Sequence, residues 1–330
     1  MKHDCIDIHT HVVPENFPAY AGSGRDVPWP SMAPAHACHR HVMISGKVYR
    51  TVADGSWSVP RRIEDMGAMR ITRQAISPMP ELLSYWLPLA DAKVMVRYLN
   101  DQIAAMIAEA PQRFVGLGAV PLQDVDAAIR ELEYCKSLKF AGVEIASHVN
   151  GISIGDARFE PFFSAAEKQG AAIFVHALRP AGQDRIVGAF SEQAVCFPGD
   201  IGLACASMIT GGIGARHPKL RIAFSHGGGV MSILLPRLVH AWNMVPKAKE
   251  SVTESPAVTA KRFYYDQLVF DPSAVRFVIG TFGEKQILIG TDYPFALGDS
   301  HPMKTLELAR VHGETLVAIS STNAKRFLGL

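Results

Sequence analysis

The sequence predicts a (β/α)8 barrel, and three observations carry that expectation. Eight short apolar runs alternate with segments of helical periodicity along the chain. Continuous runs of this kind belong to parallel strands buried on both faces and covered by helices. The length of 330 residues suits one barrel domain with insertions. No Gly-x-Gly-x-x-Gly fingerprint follows the first strand, which weighs against a doubly wound open sheet, the competing arrangement.

The first strand is Cys5-Ile6-Asp7-Ile8-His9-Thr10-His11. Alternate residues of a strand face the same side, so its two histidines project together. Residues 12–60 hold neither period for long and are rich in Pro, Gly, Ser and His. They read as a loop-rich insertion, a lid within a single domain spanning 1–330, with a hairpin turning at Gly46 between residues 43 and 52. Regular alternation follows. A helix at 61–69 leads into a strand at 71–77, and Pro88 divides a helical region at 81–111. A strand at 114–120 precedes a helix that starts at the capping residue Asp124 and runs to 139. Strands at 141–146 and 171–176 flank a helix at 159–169. A glycine-interrupted helical stretch from about 200 precedes the strand at 220–226. The pattern ends with a helix at 230–245, a strand at 262–269, a helix at 272–282, a strand at 286–291 and two closing helices.

Composition narrows the function. Hydrophobic residues make up 48% and charged residues 19%, enough for a large core and too few charges for disorder. The net charge of +2, with both signs interspersed, gives no electrostatic footprint for nucleic acid or an anionic membrane. The five cysteines include no Cys-x-x-Cys pair and suit a reducing cytoplasm. No signal-like apolar stretch follows the N-terminus, and the longest apolar-leaning run, 201–215, is broken by glycines and shorter than a membrane span. The expectation is a soluble cytoplasmic enzyme.

In such a barrel the chemistry gathers at the C-terminal ends of the strands. His9 and His11 end the first strand, His176 the fifth, His226 the sixth and Asp292 the eighth, each after an apolar run. Any one of these histidines alone would fit a hydrogen-bonded core position. Together, the three imidazoles of His9, His11 and His176 with the Asp292 carboxylate make an N3O donor set for Zn2+ or another divalent ion, with a position left open. His226 then stands free as a general base or acid.

These residues lie in motifs that resemble a known family. His9-Thr10-His11, His176, Ser225-His226-Gly227-Gly228-Gly229 and Gly290-Thr291-Asp292-Tyr293-Pro294-Phe295 are similar to the amidohydrolase superfamily. Within it, they resemble the branch of metal-dependent decarboxylases typified by aminocarboxymuconate semialdehyde decarboxylase. Gly46-Lys47-Val48-Tyr49-Arg50, Arg113-Phe114-Val115-Gly116-Leu117-Gly118, His148-Val149-Asn150 and the closing Asn323 to Leu330 segment extend the resemblance over nearly the whole chain. It implies one Zn2+, or Mn2+, on His9, His11, His176 and Asp292, no organic cofactor, and proton transfer by His226 with help from Asp292. It also implies that Lys47 and Arg50 of the insertion, Phe295, and an arginine after strand six matching Arg237 meet a small anionic carboxylic acid. Arg237 would reach in from a neighbouring subunit, making the protein a homodimer.

The chain departs from the muconate semialdehyde enzymes after strand five. Ala177-Leu178-Arg179-Pro180 replaces a Pro-Trp-Asp run, and Gly188 to Gln193 contains no tryptophan. Arg179 is similar to an arginine of the hydroxybenzoate decarboxylases, which favours hydroxybenzoates or hydroxylated pyridine carboxylates as substrates. Glu144 stands on strand four where a glutamine is usual, with its facing open and a second metal as one reading. His36, His39 and His41 around Cys38 lie in the insertion without a second set of partners, and are expected to supply a polar contact rather than a second zinc site. The function expected is nonoxidative decarboxylation of a hydroxy- or amino-bearing planar acid. Hydrolysis of a lactone or amide, or hydration of an unsaturated dicarboxylate, are the alternatives.

Overall fold

The computed structural model describes residues 4–188 and 192–330; within the Gly188 to Gln193 segment, Ala189, Phe190 and Ser191 lie outside the described residues. The strands in chain order are β1 (Ile6–Val12), β2 (Ser31–Pro34), β3 (His39–Ile44), β4 (Lys47–Ala53), β5 (Arg73–Pro78), β6 (Phe114–Gly118) and β7 (Gly142–Ala146). They continue as β8 (His148–Val149), β9 (Ile152–Ser153), β10 (Ala172–His176), β11 (Arg221–Phe224), β12 (Tyr264–Asp266) and β13 (Ile287–Leu288). Eight of them form one sheet in the order β1-β5-β6-β7-β10-β11-β12-β13. Parallel bridges Asp7 to Ile289 and Thr10 to Tyr293 join its two edges, so the sheet closes into the expected barrel.

The helices form where the sequence places their signals. Pro88 is the N-cap of helix Leu89–Glu109, and the shorter stretch before it is a turn of 3-10 helix at Pro80–Leu83. The Asp124 side chain accepts the Ala127 amide at 2.7 Å and caps helix Val125–Ser137. Pro272–Phe282 is helical as expected, whereas the closing region breaks into three short helices, Pro302–Leu308, Gly313–Val317 and Asn323–Leu328.

Strand parity builds the layers. On β10, Ile173 and Val175 belong to the large cluster formed with the outer helices, while Ala172 and Phe174 join Ile6, Ile8 and Leu117 in a second, inner cluster. Phe327 and Leu328 of the last helix complete that inner cluster at the end where the strands begin. Full burial of each large apolar side chain contributes about 1.5–3 kcal/mol. The same parity carries His176 inward, at the other end.

The 12–60 insertion is more ordered than the expected single hairpin. Its strands β2, β3 and β4 form a three-stranded antiparallel sheet, in which β3 and β4 turn at Ser45 and Gly46. Val42 and Val52 bury against Met79, Leu82 and Met95, which fixes this sheet beside the strand ends.

Candidate metal centre and substrate cavity

One donor atom from each of His9, His11, His176 and Asp292 lies within 4.8 Å of all the others. Asp292 Oδ1 stands 3.3 Å from His9 Nε2, 3.1 Å from His11 Nε2 and 4.0 Å from His176 Nε2. Each imidazole is held by its other nitrogen. His9 Nδ1 meets Asp266 Oδ2 at 2.7 Å, His11 Nδ1 the Pro78 carbonyl at 3.0 Å, and His176 Nδ1 the Ala177 carbonyl at 2.8 Å. A carbonyl can only accept, so Nδ1 of His11 and of His176 carries the proton, and Nε2 is left as a bare lone pair. The three Nε2 atoms and Asp292 Oδ1 are buried without a hydrogen-bond partner. Buried polar atoms are normally satisfied, and a divalent cation shared by the four satisfies all of them at once. The donor set therefore fits the expected ion.

Electrostatics agree. Burial lowers the basicity of His11 and His176, which keeps both in the neutral form that binds metal. At His9 burial also opposes the cation, but the Asp266 and Asp292 carboxylates outweigh it and raise the imidazole to about 10. Burial pushes Asp292 up, yet His11 and His9 hold it well below the usual carboxylate range. A divalent ion between them would take the place of the proton they share.

Asp266 is the functional residue that sequence reasoning missed. Besides His9 it accepts the backbone amides of His226 at 3.0 Å, Gly227 at 2.8 Å and Leu268 at 3.1 Å. β12 ends at Asp266, paired with Leu288 of β13, rather than at 269. The available signal was an acidic residue after the seventh apolar run, in the same place as the other ligands. Gly290 is part of this arrangement: a Cβ there would stand 2.6 Å from Asp266 Cβ and 2.9 Å from His9 Cβ, so only glycine admits the eighth strand.

His226 follows β11 in the left-handed region, with φ of 54°. Its ring lies 5.3 Å from that of His9 and 5.1 Å from that of His176, and its Nδ1 pairs with Ser225 Oγ at 2.8 Å. Burial, and then the charge on His9, depress it to about 4, so the imidazole is neutral at pH 7. Glu144 faces the barrel interior, between Val143 and Ile145, which pack outward. Its Oε2 is 3.6 Å from His11 Nδ1, and burial raises its carboxyl to about 8. Among the described residues the His9, His11, His176 and Asp292 group is the one metal-competent cluster, so neither Glu144 nor the insertion histidines build a second. The His36 and His39 rings lie 4.1 Å apart, and His41 Nδ1 pairs with Thr51 Oγ1 at 2.9 Å.

A cavity of about 540 Å3 opens outward from His176 and Asp292, walled by β4, the β5 and β10 ends and the segment after Asp292. Phe295 stacks on His11 with centroids 5.2 Å apart, and the Arg50 guanidinium carbon lies 4.3 Å from the Phe295 ring centre. Arg179 also lines the cavity, but it donates to Glu81 Oε1 at 2.5 and 3.1 Å and lies 3.2 Å from the Trp86 ring centre. His39 is part of the wall. Lys47 is exposed at the hairpin turn and Arg237 is exposed on helix Met231–Met244, both outside the wall of this chain's own cavity.

The chain is similar to known proteins over most of its length. The chain is 35% identical over 328 residues to a 2-amino-3-carboxymuconate-6-semialdehyde decarboxylase of Dictyostelium discoideum, covering 98% of this chain and 91% of that protein. Its fold matches the apo structure of Metarhizium anisopliae IDCase with a TM-score of 0.83 at 21% identity, over 99% and 97% of the two chains. It also matches a dihydroxybenzoic acid decarboxylase from Polaromonas sp. JS666, solved with manganese and 2-nitroresorcinol, with a TM-score of 0.74 at 22% identity over 82% and 85%. The family model for amidohydrolases matches residues 6–330, from the first strand with its two histidines to the last helix, and the chain belongs to that family.

Proposed function

We propose that this protein is a metal-dependent carboxy-lyase that removes CO2 from a planar carboxylic acid bearing a hydroxyl or amino group. The observation that carries the reading is the buried set of four orphaned donors with the neutral His226 ring beside it, in a chain whose reported relatives include decarboxylases. His9, His11, His176 and Asp292 would hold a single divalent ion, zinc or manganese. When bound, the ion supplies a Lewis-acid centre that orients an oxygen of the substrate and stabilises negative charge.

The chain's own residues do the rest. Arg50, set over Phe295, pairs with a substrate carboxylate, and Phe295 offers its ring to the planar skeleton. His226, fixed through Nδ1 by Ser225, has Nε2 left for proton transfer. The imidazole takes a proton from solvent and, as imidazolium, delivers it to the carbon that carries the carboxylate. Asp292 is the second group placed to relay that proton. The C–C bond then breaks, its electron pair returns to the ring or enamine, CO2 leaves, and the new C–H bond remains. Arg179 borders the same cavity. Lys47 shares β4 with Arg50 and adds positive charge to that arm.

Arg237 belongs to a second copy's site in this reading. It is exposed on a helix that also presents Ile233 and Met244, 71% and 66% exposed, which supports a homodimer built on that helix. The free cysteines support a reducing cytoplasm as the place of work, and among the described residues no helix is long and apolar enough to cross a membrane.

The test is CO2 release, without oxygen or organic cofactor, from protein loaded with zinc or manganese and offered hydroxy- and aminoaromatic acids and small lactones. His226→Ala is expected to keep its metal content and lose about 100-fold or more in rate. Lactone opening with no CO2 from any acid would overturn the reading.

A further inference from the structure

The substrate cavity contains a carboxylate that an anion-binding site has no reason to keep. Glu81 lies in the turn Pro80–Leu83 directly after β5, at the strand end where substrate-facing groups gather, and it lines the same cavity as His176 and Asp292. It is only 4% exposed. Left alone it would repel the carboxylate of any substrate.

Its surroundings assign it a different task. Both hydrogen bonds from Arg179, through Nε and a terminal nitrogen, go to the single oxygen Oε1, and neither goes to Oε2. The Tyr49 phenol lies against the same carboxylate and shares a hydrogen bond with it; burial, and then the charge of Glu81, raise that phenol, so it stays protonated and donates to the carboxylate. Arg179 is thus occupied on its edge by Glu81 and on its face by Trp86. Arg50 forms no ion pair within 4 Å among the described residues; the Glu192 carboxylate of the same wall lies near enough to feel its charge, and Arg50 is the guanidinium without a hydrogen-bonded carboxylate. We infer that Glu81 is a specificity-determining residue: its Oε2 accepts a hydrogen bond from a hydroxyl or amino group of the substrate, at a point away from the reacting carboxylate. Arg179 is the positioning residue that holds Glu81 in place and cancels its charge.

This inference rests on the substrate being a planar carboxylic acid, as proposed above, and it names which substituent the cavity reads. A buried acceptor discriminates by exclusion. A ligand that covers Oε2 without donating to it takes away that oxygen's access to water with no bond in return, and a charge-assisted bond is about twice as strong as a neutral one. Donors should therefore bind well, and their methyl ethers or N-methylated forms should bind poorly.

Binding calorimetry on the zinc-loaded protein tests the inference independently of turnover, with benzoate, the three hydroxybenzoates, the three aminobenzoates and their methoxy and dimethylamino counterparts. In the unaltered protein at least one hydroxy or amino isomer is expected to bind about tenfold or more tightly than its methylated counterpart. In Glu81→Gln, which keeps the shape but loses the charge, that ratio should fall about tenfold while benzoate itself binds no more weakly, since a repelling carboxylate is gone. Arg179→Met supplies the second arm. Benzoate should bind more weakly there, because Glu81 is left uncompensated, and the double variant Glu81→Gln/Arg179→Met, which removes both charges, should bring benzoate back within about threefold of the unaltered protein, because Arg179 is not its anchor. Melting temperature and zinc content verify that each variant is folded. A donor preference unchanged in Glu81→Gln, or a collapse of benzoate binding in the double variant Glu81→Gln/Arg179→Met, would overturn the inference. Absence of CO2 release alongside an intact, Glu81-dependent donor preference would instead sink the decarboxylase reading and leave this one standing.

Discussion

A neutral imidazole has one proton to place, and the protein decides where it goes. At His11 and His176 a backbone carbonyl takes the Nδ1 hydrogen; at His9 the Asp266 carboxylate does so, and a carboxylate also makes the ring a better donor. Asp266→Asn should therefore weaken metal binding about 10- to 100-fold, measured by competition with a chromogenic chelator. An unchanged affinity would mean that the His9 contact is incidental. At this scale the sequence was informative wherever a polar residue ended an apolar run, which is how His9, His11, His176, His226 and Asp292 could be read. Asp266 obeys the same rule but sits after the short run Tyr264-Tyr265, inside what looks like a longer strand. Glu81 and Arg179 are 98 positions apart, and nothing local in either segment announces their pairing.

Among the elements, the helices follow their punctuation, and the strands near the site do not. Asp124, Pro88 and Pro272 mark helix starts by fixing backbone geometry locally, so those boundaries are legible from the residues alone. β12 and β13 are shorter than their apolar runs: β12 ends on Asp266 itself, paired with Leu288, and beyond β13 the chain meets β1 through isolated bridges on either side of Asp292. β2 carries no β-branched residue and ends in proline, and only its pairing with β3 makes it a strand. Arg62 is a tertiary feature of the same kind. Fully buried on helix Val59–Met69, it donates to the carbonyls of Gly55 and His11 and lies 4.8 Å from the Tyr293 ring centre. It thereby ties the insertion, β1 and the segment after Asp292 together. Arg62→Met should cost about 3 kcal/mol, read from the midpoint of urea unfolding, because it strands buried carbonyls. A milder, pH-dependent link joins helix Glu160–Lys168 to helix Ile213–Arg216. The hydrogen-bonded Arg216 guanidinium holds the Glu160 carboxyl below its ordinary value of 4.5. A depressed acid stabilises the fold above its unfolded-state value and loses that contribution as pH falls through the folded one. The melting temperatures of the unaltered protein and Arg216→Met should accordingly differ at pH 7 and converge on acidification below 4.5; a gap that stays constant would exclude the pair as its source.

For the whole molecule the decisive feature is the seam between β1 and β13. The other barrel strands pair in ladders, of which β1–β5 is broken by a register shift between Asp7 and Thr10, whereas the first and last strands meet through two isolated bridges, with the Ile8 amide on the Ile289 carbonyl at 2.9 Å, the Asp292 amide on the His9 carbonyl at 2.9 Å and the His11 amide on the Tyr293 carbonyl at 2.7 Å. His9 and His11 lie on one side of that seam and Asp292 on the other. A shared ion is thus a cross-link as well as a cofactor. Ion present at 100 times its dissociation constant should add about 2.7 kcal/mol of stability, and chelation should lower the melting temperature by several degrees. Amide exchange should quicken first at Ile8 and His11, and uniform quickening would argue against the seam as the weak point. The order of synthesis gives the same feature another meaning. His9 and His11 are translated long before Asp292, so a nascent chain exposes two imidazole ligands for nearly the whole time it is being made, with no carboxylate to complete them. Selective ion capture has to wait until the eighth strand docks, and a chain stalled before Gly290 would hold three of the four ligands in an open sheet that any competing metal could reach.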